Sequence, residues 1–245
     1  MPELPEVETV MRGMLAALQN RTIREATVRR HDLRWRIPAD FSQQLAGRRI
    51  ENFRRRGKYI LIRLSGARTV ILHLGMSGRI ALDSPRTTPA HEHVVLSMDD
   101  GGRCAYIDPR RFGMLTVIPT AEEDSFSLLA DMGPEPLETG FTPRTLLDAF
   151  GNRRSPIKTA LLDQKVVAGL GNIYVSEALY SAGIHPQTPA NLLSARQVRT
   201  LLKAIPAVPA EATAAGGSAL RDYVSPGGGV LSKHLTLPTT YPLWI

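Results

Sequence analysis

The chain has 245 residues, of which 43% are hydrophobic, and it carries a formal net charge of +7 with an isoelectric point near 9.9. This length and apolar content allow two modest domains and exclude a mainly disordered chain, while the basic excess favours an anionic partner such as nucleic acid without identifying one. Cys104 is the only cysteine, which excludes an internal disulfide and a metal site built from several thiolates of this chain.

The first ten residues contain three glutamates, Glu3, Glu6 and Glu8, and no basic residue. No apolar run in the sequence reaches the roughly 18 residues that a membrane-spanning helix needs. We therefore expect a cytoplasmic protein that is not inserted in a membrane, and we expect it to act as a monomer.

Apolar residues spaced three or four apart predict an amphipathic helix from residue 5 to about residue 19, and Pro5 suits the first turn of such a helix. Between residues 22 and 119, short β-branched runs alternate with turn residues, which predicts an antiparallel sandwich or barrel. The predicted strands are residues 59–64, 70–74, 94–98, 105–107 and 114–118.

The second half of the chain has a different texture. Acidic residues, Gly and Pro dominate residues 120–143 and predict a linker. The helices predicted after it span residues 145–150, 156–162, 173–182 and 195–205. We expect an α+β fold, with an N-terminal helix and an antiparallel β-sandwich domain in residues 1–120, a linker at 121–143, a helical domain at 144–224 and a tail at 225–245 without an assigned fold.

The N-terminal residues indicate a type of reaction, which the composition alone does not. A proline after Met1 permits removal of the initiator methionine, which would leave Pro2 with a secondary amine. An α-amino group titrates near 7.7 to 8.0, roughly, so a useful fraction is unprotonated at neutral pH, and the positive end of the following helix disfavours the ammonium form further. Such an amine can attack a sugar C1′, displace a base and, as an iminium ion, acidify the C2′ proton.

The same chemistry requires proton donors and acceptors beside the nucleophile. Glu3 is adjacent in sequence and Glu6 lies one helical turn further on, so either carboxylate could protonate the sugar ring oxygen or move protons during elimination. Acidic residues in the first turn of a helix are also ordinary N-terminal capping, and the sequence leaves that structural alternative open.

Six further blocks occur in an order that matches a known family. They are RGKY at 56–59, HLGMSG at 73–78, DPRRFG at 108–113, GPEPL at 133–137, GLGNIY at 169–174 and AGIHP at 182–186. With the N-terminal stretch, they resemble the formamidopyrimidine-DNA glycosylases. The resemblance implies removal of oxidised purines such as 8-oxoguanine and formamidopyrimidines from damaged double-stranded DNA, followed by β/δ-elimination at the abasic site, in a bacterial protein associated with the nucleoid.

The resemblance also implies roles for individual residues in catalysis. Pro2 would be the nucleophile and Glu3 the general acid, with Glu6 in the same pocket. Lys58 would contact the phosphate beside the lesion, although a solvated charge at the end of a strand is the alternative.

Further residues are assigned to the DNA interface. Met76, Arg110 and Phe112 match the trio that fills the space left by an extruded nucleotide, which any enzyme acting at C1′ must create; a plain core aromatic is the alternative for Phe112. The predicted phosphate and DNA contacts are His73, His93, Lys158 and Asn172. Asn172 is also expected to cap the helix that follows it, in a segment resembling the family's helix–two-turn–helix element.

His91 and His93 flank Glu92 on one predicted strand, but no other ligands accompany them, so a metal site there is disfavoured.

The end of the sequence departs from the family pattern. Most members of the family end in a zinc finger with four cysteines, whereas no cysteine follows Cys104 and no arginine follows Arg221 here. We therefore expect no zinc and no other cofactor, and we interpret the tail as a sign of a shortened or frame-altered gene. Fewer phosphate contacts would weaken binding and reduce or abolish activity.

Two alternatives remain from the sequence. One is a DNA-binding relative that keeps the fold without catalysis, and the other is an unrelated enzyme that uses an N-terminal proline as a general base on a small keto acid. The catalytic set argues against the first, and the DNA-interface residues argue against the second.

Overall fold

The computed structural model describes residues 1–83 and 90–216. Helix α1 (Leu4–Leu18) opens the chain. The β-rich part follows, with β1 (Ile23–Val28), helix α2 (Phe41–Leu45), β2 (Ile50–Arg56), β3 (Tyr59–Leu64), β4 (Arg68–His73), β5 (Arg79–Leu82), β6 (Glu92–Met98), β7 (Arg103–Ile107) and β8 (Met114–Pro119). The helical part contains α3 (Pro143–Phe150), α4 (Ile157–Leu162), α5 (Asn172–Ser181) and α6 (Ala195–Ala214), with short 3-10 turns at Thr120–Glu122 and Ala190–Leu192.

The strands form two four-stranded antiparallel sheets, in the orders β1-β6-β7-β5 and β2-β3-β4-β8. One apolar core lies between the sheets, and the inner face of α1 packs into it through Val7, Val10 and Met14. A second core joins α3, α4, α5 and α6. The predicted α+β fold, an N-terminal helix with an antiparallel sandwich followed by a helical domain, is confirmed.

Two strands that the sequence did not reveal share a local irregularity. β1 buries Ile23 and Ala26, and β2 buries Ile50 and Phe53. This spacing of three residues does not alternate as a strand should, because each strand carries an irregularity of register between the two buried positions. The extra residue restores both apolar side chains to the core face.

Helix α6 extends well past the predicted end at residue 205. Pro206 and Pro209 lie inside it, and each lacks the N–H that would donate to the carbonyl four residues earlier. Pro209 is nevertheless buried, and Val208 and Ala212 pack against the helical core. Burial against the other helices therefore offsets the cost of two prolines that would terminate an isolated helix.

The segment predicted as a linker lies against the sandwich. Leu129 packs on the outer face of the second sheet, beside Leu61 and Ile71. Glu123 and Glu135 are both buried and accept hydrogen bonds from arginines of β2 and β3. The boundaries at residues 120, 143 and 224 stay predictions, and the tail at 225–245 lies outside the described residues.

Among the helices in the described part of the chain, none combines the length and apolar character needed to cross a bilayer.

Candidate active site and DNA-facing loops

The carboxylate of Glu3 lies at the N-terminus of α5. Its Oε1 accepts a hydrogen bond from the backbone N–H of Ile173 at 3.0 Å, and its Oε2 accepts one from Tyr174 at 3.3 Å. Glu3 is only 3% exposed, so these amides of the helix start replace water around a buried charge. The N-terminus of one domain and the helix start of the other thus meet at one carboxylate.

Gly171 allows this approach. It is the N-cap residue of α5, and a Cβ there would lie 2.5 Å from Oε1 of Glu3. Asn172 is the first helical residue, and its side chain is exposed. The predicted capping role of Asn172 is therefore wrong, because a carboxylate 170 residues away in sequence supplies the acceptors. A DNA contact by Asn172 stays a prediction.

Glu6 is the second buried carboxylate of the site, at 1% exposure. Its Oε2 accepts the backbone N–H of Glu3 at 3.0 Å, and its Oε1 accepts the hydroxyl of Tyr174 at 2.6 Å. Capping and catalysis are not exclusive alternatives here, because both carboxylates are held in place by the hydrogen bonds that cap helices. Pro2, half-buried, directly precedes them.

Lys58 stands on the tight turn between β2 and β3. Arg56 pairs with Tyr59, so only Gly57 and Lys58 form the turn, and Gly57 at φ +55° supplies the left-handed conformation required at its first central position. Lys58 is buried, which excludes the alternative of a solvated charge. Burial lowers the pKa of its ammonium group, while the charges of Glu3 and Glu6 oppose that shift.

Glu135 anchors this turn from the linker. Its carboxylate accepts the N–H of Gly57 at 2.6 Å and also binds the guanidinium groups of Arg55 and Arg56. Sequence reasoning quoted the motif around Glu135 but gave the residue no role.

His73 lies opposite Tyr59 on the neighbouring strand, with ring centroids 4.7 Å apart. Burial, assisted by the charges of Lys58 and Arg34, lowers its pKa to about 4, so the imidazole is neutral at pH 7. The N–H of Gly75 lies 3.1 Å from its Nδ1, which must therefore accept, and the proton resides on Nε2. His73 offers one neutral donor rather than a positive charge.

An open cleft of about 750 Å³ adjoins these groups. Its lining includes Met1, Lys58, Tyr59 and His73 on the sandwich side and Gln164 and Lys165 on the helical side. The cleft therefore lies between the two domains, and the N-terminal residue Met1 lines it.

The three predicted wedge residues project from two adjacent loops. Met76 is 44% exposed on the loop after β4, and Phe112 is 39% exposed on the loop between β7 and β8. The guanidinium carbon of Arg110 lies 4.8 Å from the centre of the Phe112 ring. This exposure excludes a plain core role for Phe112.

His93 is not part of that surface. Its side chain is buried, and its Nε2 lies 2.8 Å from the backbone carbonyl of Asp108. The predicted DNA contact of His93 is wrong, because the imidazole supports the loop from below; the exposed member of the pair is His91. Lys158, half-buried on α4, stays a predicted phosphate contact.

Sequence reasoning also missed Tyr174 and Arg34. Tyr174 belongs to a quoted motif but received no role, and no local signal points to one, because the glutamates that it contacts are 171 and 168 residues away in sequence. Arg34 belongs to the basic run at residues 29–36, and its charge acts on both Tyr59 and His73.

The residues present do not fit the family's zinc. Cys104, the only cysteine, is buried in the sandwich core, where burial raises the pKa of its thiol to about 12. Within residues 1–83 and 90–216, no three His, Cys, Asp or Glu side chains are grouped as metal ligands. The absence of a cofactor stays a prediction.

Comparisons with known families agree across both halves of the chain. Residues 1–115 match the model of the formamidopyrimidine-DNA glycosylase N-terminal domain, and residues 132–224 match that of its H2TH domain. The formamidopyrimidine-DNA glycosylase of Gluconobacter oxydans is 53% identical over 231 residues, covering 93% of this chain and 83% of the relative. That of Acidiphilium cryptum is 54% identical over 228 residues, covering 93% and 82%.

Solved structures show the same likeness. The MutM (Fpg) protein of Thermus thermophilus superposes with a TM-score of 0.82 at 35% identity, covering 93% of this chain and 83% of the other. The Lactococcus lactis Fpg in complex with DNA containing an abasic site gives a TM-score of 0.85 at 31% identity, covering 92% and 83%. A complex of the same protein with Fapy-dG-containing DNA gives 0.83 at 31% identity, covering 89% and 82%.

Proposed function

The chain belongs to the formamidopyrimidine-DNA glycosylase family, and from that membership we propose that it is a base-excision repair enzyme that removes oxidised purines from duplex DNA and then cleaves the abasic site. The observation that carries the proposal is the pair of buried, hydrogen-bonded carboxylates, Glu3 and Glu6, directly after Pro2. A DNA-binding protein without catalysis would have no need to bury two charges beside its N-terminal amine.

We propose that Pro2, once Met1 is removed, is the nucleophile. Its nitrogen lone pair attacks C1′ of the damaged nucleotide, and the base leaves with the electrons of its bond to C1′ and takes a proton from water. The nitrogen then loses its own proton, its lone pair forms the double bond to C1′, and the bond from C1′ to O4′ breaks as O4′ takes up a proton. Glu3 takes the proton that the nitrogen loses and, as the general acid, donates it to O4′, because it adjoins the amine in sequence and its carboxylate is fixed by α5. The product is an iminium ion between Pro2 and C1′.

The iminium then drives strand cleavage. It acidifies C2′, so loss of a C2′ proton expels the 3′ phosphate oxygen, and a second elimination expels the 5′ phosphate oxygen. Water finally adds to C1′ of the iminium ion, the bond from C1′ to nitrogen breaks, and Pro2 is released as the amine. Glu6 is the group that relays protons within the pocket, because it is buried beside Glu3 and its Oε1 accepts a hydrogen bond from the hydroxyl of Tyr174 at 2.6 Å.

Phosphate recognition beside the lesion falls to Lys58 and His73. Lys58 provides the N–H donors of its buried side-chain amine, and His73 provides one neutral N–H donor. Met76, Arg110 and Phe112 enter the duplex where the damaged nucleotide leaves, and the exposure of all three side chains supports that assignment.

Borohydride trapping tests the proposal, since it reduces an iminium to a stable amine. The full chain with Met1 removed is incubated with a duplex containing 8-oxoguanine, and with one containing an abasic site. We expect a covalent adduct on each, located at Pro2 by peptide mass analysis.

A preparation that retains Met1 is the matched control, because its Pro2 nitrogen is an amide and cannot attack. An adduct elsewhere in the chain would contradict the role of Pro2. An adduct on abasic DNA alone would contradict base excision while leaving the elimination chemistry. DNA binding without any adduct would identify a non-catalytic relative.

A further inference from the structure

One buried side chain joins the two loops that carry the wedge residues. Asp108 has no exposed surface, and its carboxylate accepts four hydrogen bonds. Oδ1 accepts the hydroxyl of Ser77 at 2.6 Å and the backbone N–H of Arg110 at 3.3 Å. Oδ2 accepts the backbone N–H of Gly113 at 2.9 Å and the hydroxyl of Tyr106 at 3.0 Å.

These partners come from both loops. Ser77 directly follows Met76 on the first loop, and Arg110 and Gly113 belong to the second. The two loops are also bonded to each other, because the N–H of Arg110 lies 3.2 Å from the hydroxyl oxygen of Ser77. The carboxylate thus accepts hydrogen bonds from both wedge segments and connects them.

The backbones of the two loops also pack closely against each other. Gly75 has φ +64°, and a Cβ there would lie 2.6 Å from the nitrogen of Gly113. The first loop therefore touches the backbone of the second without an intervening side chain. Beneath them, His93 supports the backbone carbonyl of Asp108 at 2.8 Å.

The chemistry of the four donors makes a carboxylate necessary. An ionised aspartate accepts only, and its two oxygens offer about four lone-pair directions, all of which are used here. Each oxygen receives one backbone N–H, and a backbone N–H cannot reverse its role. An asparagine would therefore direct its NH2 group against a donor in either orientation.

We propose that Asp108 is a positioning residue that locks the Met76 loop and the Arg110–Phe112 loop into one rigid wedge, ready to enter the duplex without reorganisation. The inference rests on the proposed function, since it concerns extrusion of the damaged nucleotide. Asp108 touches no reacting atom, so it affects the step that exposes C1′ and leaves the chemistry at C1′ unchanged.

The experiment compares one abasic strand in two forms, as a single strand and in a duplex. A single strand needs no wedge, whereas the duplex does. The rate of borohydride adduct formation is measured for Asp108→Asn and for Ser77→Ala, which removes the link between loops without burying an unmatched group. A loosened wedge is expected to lower the duplex rate about tenfold or more in Asp108→Asn and severalfold in Ser77→Ala, with single-strand rates near those of the unaltered protein.

Glu123→Gln is the matched control. Glu123 is also buried and accepts three side-chain hydrogen bonds, two from Arg63 and one from Thr69, but Thr69 is at the start of β4, whereas the Met76 loop follows the end of that strand. We expect it to leave the ratio of duplex to single-strand rates unchanged, whatever it does to thermal stability.

Insertion itself is followed with 2-aminopurine opposite a stable abasic analogue, whose fluorescence rises when the wedge unstacks it. A smaller rise at saturating protein is expected for both loop variants. A Ser77→Ala protein with an unaltered rate ratio and fluorescence would overturn the proposal, as would an equal loss on both DNA forms. Failure of the unaltered protein to form any adduct would count against the proposed function alone, because the fluorescence still reports on Asp108.

Discussion

Gly171 separates the carboxylate of Glu3 from the helix that holds it, and Gly171→Ala is the sharpest perturbation of the site. The backbone there is extended, at φ −135° and ψ −163°, so alanine brings no conformational strain. Its Cβ would, however, lie 2.5 Å from Oε1 and 2.7 Å from Cγ of Glu3, where ordinary contact begins near 3.4 Å. The carboxylate must move by about 1 Å or the helix start must retreat.

A displacement of about 1 Å at a catalytic group can lower a rate on the order of a hundredfold, and the overpacking costs about 1 to 3 kcal/mol of stability. We expect the single-turnover rate of adduct formation on abasic duplex to fall by about that factor, with a folded protein of reduced Tm. Gly140→Ala is the matched control, because a Cβ there meets nothing within 4 Å.

A double-mutant cycle tests whether the effect passes through Glu3. In a Glu3→Ala background the added methyl group has no carboxylate to displace, so Gly171→Ala should cost little further activity. An effect through Glu3 would be refuted if Gly171→Ala lowered the rate of adduct formation equally in the unaltered and the Glu3→Ala background. It would also be refuted if Gly171→Ala alone left the rate unaltered.

Two further predictions concern single residues of the DNA-facing surface. The pKa of His73 is about 4 in the folded protein and 6.5 for a free imidazole. Between these pH values, unfolding is accompanied by uptake of a proton by His73. The stability that comes from keeping His73 neutral is therefore complete above pH 6.5 and is lost as the pH falls towards 4. Urea denaturation measures the free energy of unfolding at pH 7 and pH 4. Between these values the unaltered protein should lose up to about 3 kcal/mol more of that free energy than His73→Gln does, and equal losses in the two proteins would contradict the lowered pKa of His73. Lys158→Ala should lower the slope of log affinity against log salt by about 0.9 in fluorescence anisotropy titrations, whereas an unchanged slope would exclude a phosphate contact. Arg63→Ala is its control, because that guanidinium group is paired with Glu123 at 2.7 Å, away from the wedge residues.

Much of the fold could be predicted from local pattern. The bounds of β3 follow from an apolar run that only Arg63 interrupts, and α1 follows from its apolar spacing. β1 and β2 could not be predicted, because an irregular register disrupts the alternation in both. The end of α6 was predicted too early, since the penalty of Pro206 is local while the burial that offsets it comes from other helices.

The candidate site, like the fold, could be predicted only in part from the sequence. The sequence by itself determined which chemical groups are present: an N-terminal proline followed by two glutamates, a lysine before a strand, and wedge residues in glycine-rich loops. Only the tertiary structure decided what holds them, since Glu3 meets the amides of α5 across 170 residues and His93 lies beneath the loop of Asp108. Residue type and spacing are properties of the chain, whereas burial and hydrogen-bond partners depend on which distant segments pack together.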